Sequence, residues 1–118
     1  LSLFYYYGLL KEKREQLQRL KDCDSKLHRN QQELSGYRKM IESPELSAQT
    51  WQGTLANSFN EIRHEGMLHY FNDIEINQFH EVFSILTSKM QQTRSEIESI
   101  EHIIQIMQLE EKNSEHQK

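Results

Sequence analysis

At 118 residues the chain is long enough for one domain, and its hydrophobic content of 36% with a mean hydropathy of -0.84 suits helices that each bury a single stripe. A formal net charge of -4, with charges dispersed along the chain, gives nucleic acid no basic footprint. The single cysteine, Cys23, excludes an internal disulfide framework and a cysteine-based metal site.

The chain opens on Leu1-Ser2-Leu3-Phe4-Tyr5-Tyr6-Tyr7-Gly8-Leu9-Leu10. Lys11, Lys13 and Arg14 follow this apolar run instead of preceding it, and no small-x-small cleavage site is present. The run is also shorter than the ~20 residues that span a bilayer. It reads as the first turns of a helix, with no cleavable signal peptide expected.

A first long helix is predicted over about residues 2–42. Leu3, Tyr6, Leu10, Leu17, Leu20, Leu27, Leu34 and Ile41 fit one stripe at mixed three and four spacing. Lys13, Asp24, Gln31 and Arg38 take the remaining seam positions, with Cys23 and Tyr37 on the flank. Cys23 there reads as a small buried hydrophobe. Gly8 and Gly36 each weaken the helix by roughly 1 kcal/mol relative to Ala.

Ser43-Pro44-Glu45 ends that helix, since Pro disfavours helical angles in the residue before it. The stretch to Trp51-Gln52-Gly53 holds the only Pro and the only Trp. A second helix follows over about residues 54–111, with Thr54 as its cap. Its first stripe is Leu55, Phe59, Ile62, Gly66, Tyr70 and Ile74. From Phe79 the spacing alternates four and three through Phe83, Leu86, Met90, Thr93, Ile97, Ile100, Ile104 and Met107. The two stripes lose register at residues 72–77, where a local irregularity is expected. The hairpin domain is bounded at 1–112, and the polar tail 113–118 reads as disordered.

The fold class is therefore all-α, an antiparallel two-helix hairpin. A fold about residues 48–50 pairs Leu17 and Leu20 with Phe79 and Ile76, Leu27 with Tyr70, Leu34 with Ile62, and Leu3 with Ile97. The intramolecular seam is then Leu17, Leu20, Leu27, Leu34 and Ile41 against Phe59, Ile62, Tyr70, Phe79, Phe83 and Leu86. In that register the second helix outruns the first, and Ile100, Ile103, Ile104 and Met107 are left without a partner in their own chain. Ile97, Ile100, Ile104 and Met107, with Tyr5, Tyr6 and Leu10 beside them, are the expected partner interface; the alternative is that the first helix slides or curves to cover that end itself. Assembly into a four-helix or larger bundle would cover them.

Nothing in the sequence calls for catalysis. His69, Asp73 and His80 share a helical face but read as solvated polar groups rather than a metal site. Glu61-Ile62-Arg63-His64 is a Glu-x-x-His without the second copy a di-iron bundle needs. No nucleophile elbow or Gly-rich phosphate loop occurs. No catalytic residue, cofactor or metal is expected.

Two long helices joined at Trp51-x-Gly53 resemble the WXG-type small proteins of the Gram-positive type VII (ESX) secretion system. The whole chain more closely resembles the YwqH-like family, partners of LXG-domain toxins. The matching stretches are Leu3-Phe4-Tyr5-Tyr6-Tyr7, Pro44-Glu45-Leu46-Ser47, and Thr50-Trp51-Gln52-Gly53-Thr54-Leu55-Ala56 with Phe59. The resemblance implies a non-enzymatic targeting partner or chaperone, cytoplasmic before export and then co-secreted or at the cell surface. It also implies that Trp51 and Gly53 form half of a composite export signal. The other half, an aromatic-x-x-x-acid motif, is matched in letters by Phe71-Asn72-Asp73-Ile74-Glu75, but mid-helix instead of at the C-terminal end; a partner chain is expected to supply it. That partner is an LXG-domain toxin or a second small helical protein. The alternative is a self-associating coiled-coil adaptor, a homodimer or larger homo-oligomer without a secretion role.

Overall fold

The computed structural model describes residues 2–42 and 53–117, apart from the side chains of Thr54, His116 and Gln117. The described residues are almost wholly helical. Helix α1 spans Leu3–Glu42. The second arm comprises α2 (Gly53–Glu61), a π-helical turn at Ile62–Leu68, α3 (His69–Asn72), a second π-helical turn at Asp73–Gln78, and α4 (Phe79–Gln117). Helix α1 starts at an N-cap: the Ser2 Oγ accepts a hydrogen bond from the Tyr5 backbone N–H at 3.2 Å. At the other terminus, the tail expected to be disordered continues α4 as helix to Gln117. Leu109-Glu110-Glu111-Lys112 contains only good helix formers and no Gly or Pro to stop the run.

The chain divides into two compact units. Leu1–Asp24 and Ile85–Lys118 form the first, and Ser25–Ser84 the second.

In the first unit the N-terminal part of α1 runs antiparallel to α4. Leu10, Ile97, Ile100 and Ile104 form its core, with Leu3, Tyr6, Leu9 and Leu17 packed around them. Met90 and Thr93 are also buried. Thr93 is only 1% exposed, and its hydroxyl donates to the Lys89 carbonyl at 2.8 Å, so the buried polar group is satisfied within its own helix. Cross-helix pairs fix the register: Lys13 with Glu96 at 2.5 Å, Arg14 with Glu101 at 3.1 Å, and the Gln108 amide donating to the Tyr7 hydroxyl at 2.6 Å.

This register corrects the one derived from folding the chain about residues 48–50. Ile97, Ile100 and Ile104 are not left over; they and Leu10 are the core of the first unit, with Tyr6 against it and Met107 half-buried. Of the expected interface residues only Tyr5 is exposed. A symmetric fold assumes equal lengths of chain on either side of the break. The polar seam groups dictate otherwise, because Lys13 at a half-buried position needs an acid opposite and finds Glu96.

Glu96 carries a pH consequence. Its carboxyl is held below the usual carboxylate range, first by the hydrogen bond from Lys13, with smaller help from the Lys13 charge and Gln92. A lowered folded-state pKa adds stability that is complete above the unfolded value of about 4.3 and is lost as pH falls through the folded value. Melting temperature should therefore fall on acidification below about pH 4, and Glu96→Gln should flatten part of that decline. Circular-dichroism melts across pH 3–7 check this.

In the second unit Ser25–Glu42 of α1 pairs with the second arm. His28 stacks on Phe83 with ring centroids 3.9 Å apart. Gln31 donates to the Glu75 carbonyl at 3.2 Å, Ser35 donates to the Glu75 carboxylate, and Arg38 lies 3.7 Å from the same carboxylate. Three seam positions of α1 thus converge on one acid of the opposite arm. Leu20 in the first unit, and Leu27, Leu34 and Ile41 in the second, are half-buried as expected of the stripe. Cys23, expected to be buried, is exposed on the flank, as is Tyr37.

Candidate functional site: an exposed apolar face

The second arm turns one line inward: Ala56, Arg63, Leu68 and Phe71 are buried, and Asn60, Glu75, Phe79 and Phe83 on the same line are half-buried. Seam spacing along this arm alternates four and three except at two steps. Arg63 to Leu68 and Glu75 to Phe79 are each one residue longer, and each step crosses a π-helical turn. A π turn closes i→i+5 hydrogen bonds and so takes up one extra residue. The two turns therefore absorb two insertions into an otherwise regular repeat. The second occupies the irregularity expected at residues 72–77. It is laced by its first residue: the Asp73 carboxylate accepts from Asn77 at 2.8 Å and Gln78 at 3.2 Å. Those two hydrogen bonds hold Asp73 below the usual carboxylate range. The first π turn was not anticipated.

The consequence is a change of face. The stripe read from the sequence as the seam lies one residue out of phase with the buried one. Phe59, Ile62 and Tyr70, expected in the intramolecular seam, are exposed, Ile62 by 64% and Tyr70 by 70%. Leu55 and Ile74 on the same line are exposed as well. Arg63 turns inward from this line and its guanidinium lies over the Phe59 ring, 4.7 Å from the centroid. The two site assignments thus exchange roles: the expected partner residues form a core, and part of the expected seam faces outward. Periodicity alone could not separate the faces, because apolar residues occupy both neighbouring lines. Counting backward from the regular Phe79 repeat, with one residue added between Glu75 and Phe79, would have found Phe71 and Leu68.

Among the described residues, Phe79, Phe83 and Leu86 are half-buried as expected, as is Leu17. Gly53 opens α2, and Trp51 lies outside the described residues. No group of three or more His, Cys, Asp or Glu side chains is placed to hold a metal among the described residues. His69 makes an edge contact with Tyr70, and Asp73 is engaged with Asn77 and Gln78. No helix among the described residues is long and apolar enough to cross a membrane.

Chemically, the face offers binding. Five apolar groups, Leu55, Phe59, Ile62, Tyr70 and Ile74, recur at helical spacing on the surface of one arm. A contiguous line of this kind marks an interaction site, whereas isolated surface hydrophobes do not. Comparison with protein families, with curated proteins and with solved structures finds no match for this chain.

Proposed function

We propose that this chain is a non-enzymatic adaptor that binds the helical LXG domain of a type VII secretion toxin and helps present it for export. The observation that carries the reading is the exposed line Leu55, Phe59, Ile62, Tyr70 and Ile74. An amphipathic helix laid along it would bury side chains now facing water, at ~25 cal/mol per Å² of apolar surface removed. The resemblance around Pro44-Glu45-Leu46-Ser47 and Trp51-Gln52-Gly53 supplies the identity of the partner and the cytoplasmic setting before export. Trp51 and Gly53 would serve as half of the export signal.

The letters of the other half, Phe71-Asn72-Asp73-Ile74-Glu75, are largely engaged in the fold. Phe71 is buried, and Glu75 is tied to Ser35 and Arg38. That supports a second chain as the source of the aromatic-x-x-x-acid element, and a four-helix or larger bundle as the assembled form.

Size-exclusion chromatography with light scattering, on the chain alone and co-expressed with an LXG domain from the same genome, tests the proposal. A defined complex is expected. Ile62→Glu with Tyr70→Glu should abolish it while leaving the melting temperature nearly unchanged, since both side chains are exposed. A stable homo-oligomer that ignores the LXG domain would replace the proposal with the self-associating adaptor.

A further inference from the structure

Each member of the exposed line immediately precedes an inward residue of its own arm: Ile62 precedes Arg63, Met67 precedes Leu68, Tyr70 precedes Phe71, Ile74 precedes Glu75 and Val82 precedes Phe83. The line therefore keeps to one flank of the seam through both π-helical turns, with Met67 53% exposed inside the first. From Leu55 to Val82 it is roughly 40 Å long.

The pairing of the helices shows what lies across from that flank. Tyr7 and Arg14 each follow a seam residue of α1 by one, and their partners Gln108 and Glu101 follow Met107 and Ile100 by one. On the other flank Leu9, which precedes Leu10, lines a shallow hollow with Gln92, Glu96 and Ser99, which precede Thr93, Ile97 and Ile100. Preceding residues thus face preceding residues. The same repeat of α1 continues in the second unit. There His28 and Ser35 follow Leu27 and Leu34 and occupy the first flank, against Phe83 and Glu75. Tyr37 and Met40 precede Arg38 and Ile41 and fall on the second flank, beside the apolar line. Both are exposed.

Charge defines what fits between them. Glu65, Asp73 and Glu81 each follow an inward residue by two (Arg63, Phe71 and Phe79), which places them along the outer edge of the line. Between Gly53 and Ser84 the only Lys or Arg is Arg63, and it is buried. A second copy does not complement this face. Arm against arm would set these acids against their own copies. The second copy's α1 presents Lys26, Asn30 and Glu33 on this flank beside Tyr37 and Met40, a stripe too polar to cover the line. A helix with a continuous apolar stripe edged by Lys or Arg complements both features.

We propose that the exposed line is one wall of a groove, that Tyr37 and Met40 are the other, and that the groove seats an amphipathic partner helix with Lys or Arg along the edge facing Glu65, Asp73 and Glu81. This rests on the proposed adaptor role and adds a second wall and a charge to the same face.

The test titrates the full chain by calorimetry at low and high salt, alongside thermal melts, with two probes. One is a purified LXG domain from the same genome. The other is a designed amphipathic helix with a leucine stripe edged by lysines, compared with its glutamate-edged counterpart. The LXG domain and the lysine-edged helix should bind, and the glutamate-edged helix should not. Tyr37→Glu should weaken binding at least tenfold with little change in melting temperature, because the side chain is 56% exposed. Gln32→Glu, the same charge on the opposite flank of α1, should leave binding unchanged. Glu65→Lys with Glu81→Lys should weaken binding and remove much of its salt dependence. If Ile62→Glu with Tyr70→Glu abolishes binding but Tyr37→Glu binds like the unmodified chain, the groove is overturned and the docking line stands. Equal binding of the lysine-edged and glutamate-edged helices would overturn the basic edge. Binding of the lysine-edged helix, sensitive to Tyr37→Glu, without binding of the LXG domain would keep the groove and overturn the adaptor role; if neither probe binds, both are overturned. A homodimer by light scattering that Tyr37→Glu dissociates would overturn the basic partner in favour of a second copy.

Discussion

Replacing Ile100 by Ala should lower the unfolding free energy by about 2–5 kcal/mol and the melting temperature by roughly 10 °C. Ile100 is among the most buried side chains of the first unit and packs with Leu10, Ile97 and Ile104. Truncation removes transfer free energy and leaves a cavity between two helices with few other core residues to close it. Ile100→Glu should go further and leave the first unit unfolded, because a carboxylate placed among three aliphatic side chains has no partner to offset its desolvation. Ile106→Ala, on the exposed side of the same helix, should change stability by about 0.5 kcal/mol or less. Urea titrations followed by circular dichroism compare the three. Under the register expected from the sequence, Ile100→Glu would have left the hairpin intact and removed only a partner. A folded, fully stable Ile100→Glu chain would restore that reading.

The second large effect concerns Glu75. Glu75→Leu should cost about 2–3 kcal/mol, because Ser35 loses its acceptor and the half-buried Arg38 loses one of its two anions. The remaining anion, Glu42, is 3.6 Å from Arg38 and exposed, so it offsets only part of the loss. The cluster is not fully satisfied even when intact: the Arg38 Nε and the second Glu75 oxygen have no hydrogen-bond partner among the described residues. An incompletely satisfied polar cluster resists removal of one member more than removal of all. The double substitution Arg38→Met with Glu75→Leu should therefore recover most of the stability lost by Glu75→Leu alone. A double-mutant cycle by urea titration measures the coupling, and additive losses would mean that Arg38 and Glu75 do not act as a pair.

These two sites show where sequence and structure part. The heptad along α1 was legible throughout, because leucines at 17, 20, 27 and 34 mark it and its polar members Lys13, Asp24, Gln31 and Arg38 fall in the same frame. The run from Phe79 to Met107 was equally plain, being free of insertions. What periodicity could not give was the frame between Gly53 and Phe79. There a one-residue insertion rotates the helix by roughly 100°, from one apolar line to its neighbour. The inward line includes Asn60, Arg63 and Glu75, which no hydrophobic count would choose over Phe59, Ile62 and Tyr70. Nor could spacing give the pairing of the arms, since that is set by cross-helix polar partners such as Glu75 and Glu96 and not by the position of the break. The candidate site was missed for the same reason: its residues were counted as core.

Hydrogen–deuterium exchange on the chain, free and in complex with the LXG domain, addresses the central claim most directly. The account predicts new protection on complex formation over residues 55–76, with little change over 97–107, where the helix is already packed against its own chain. Protection gained at 97–107 with none at 55–76 would contradict it and return the docking site to the isoleucine-rich end of α4.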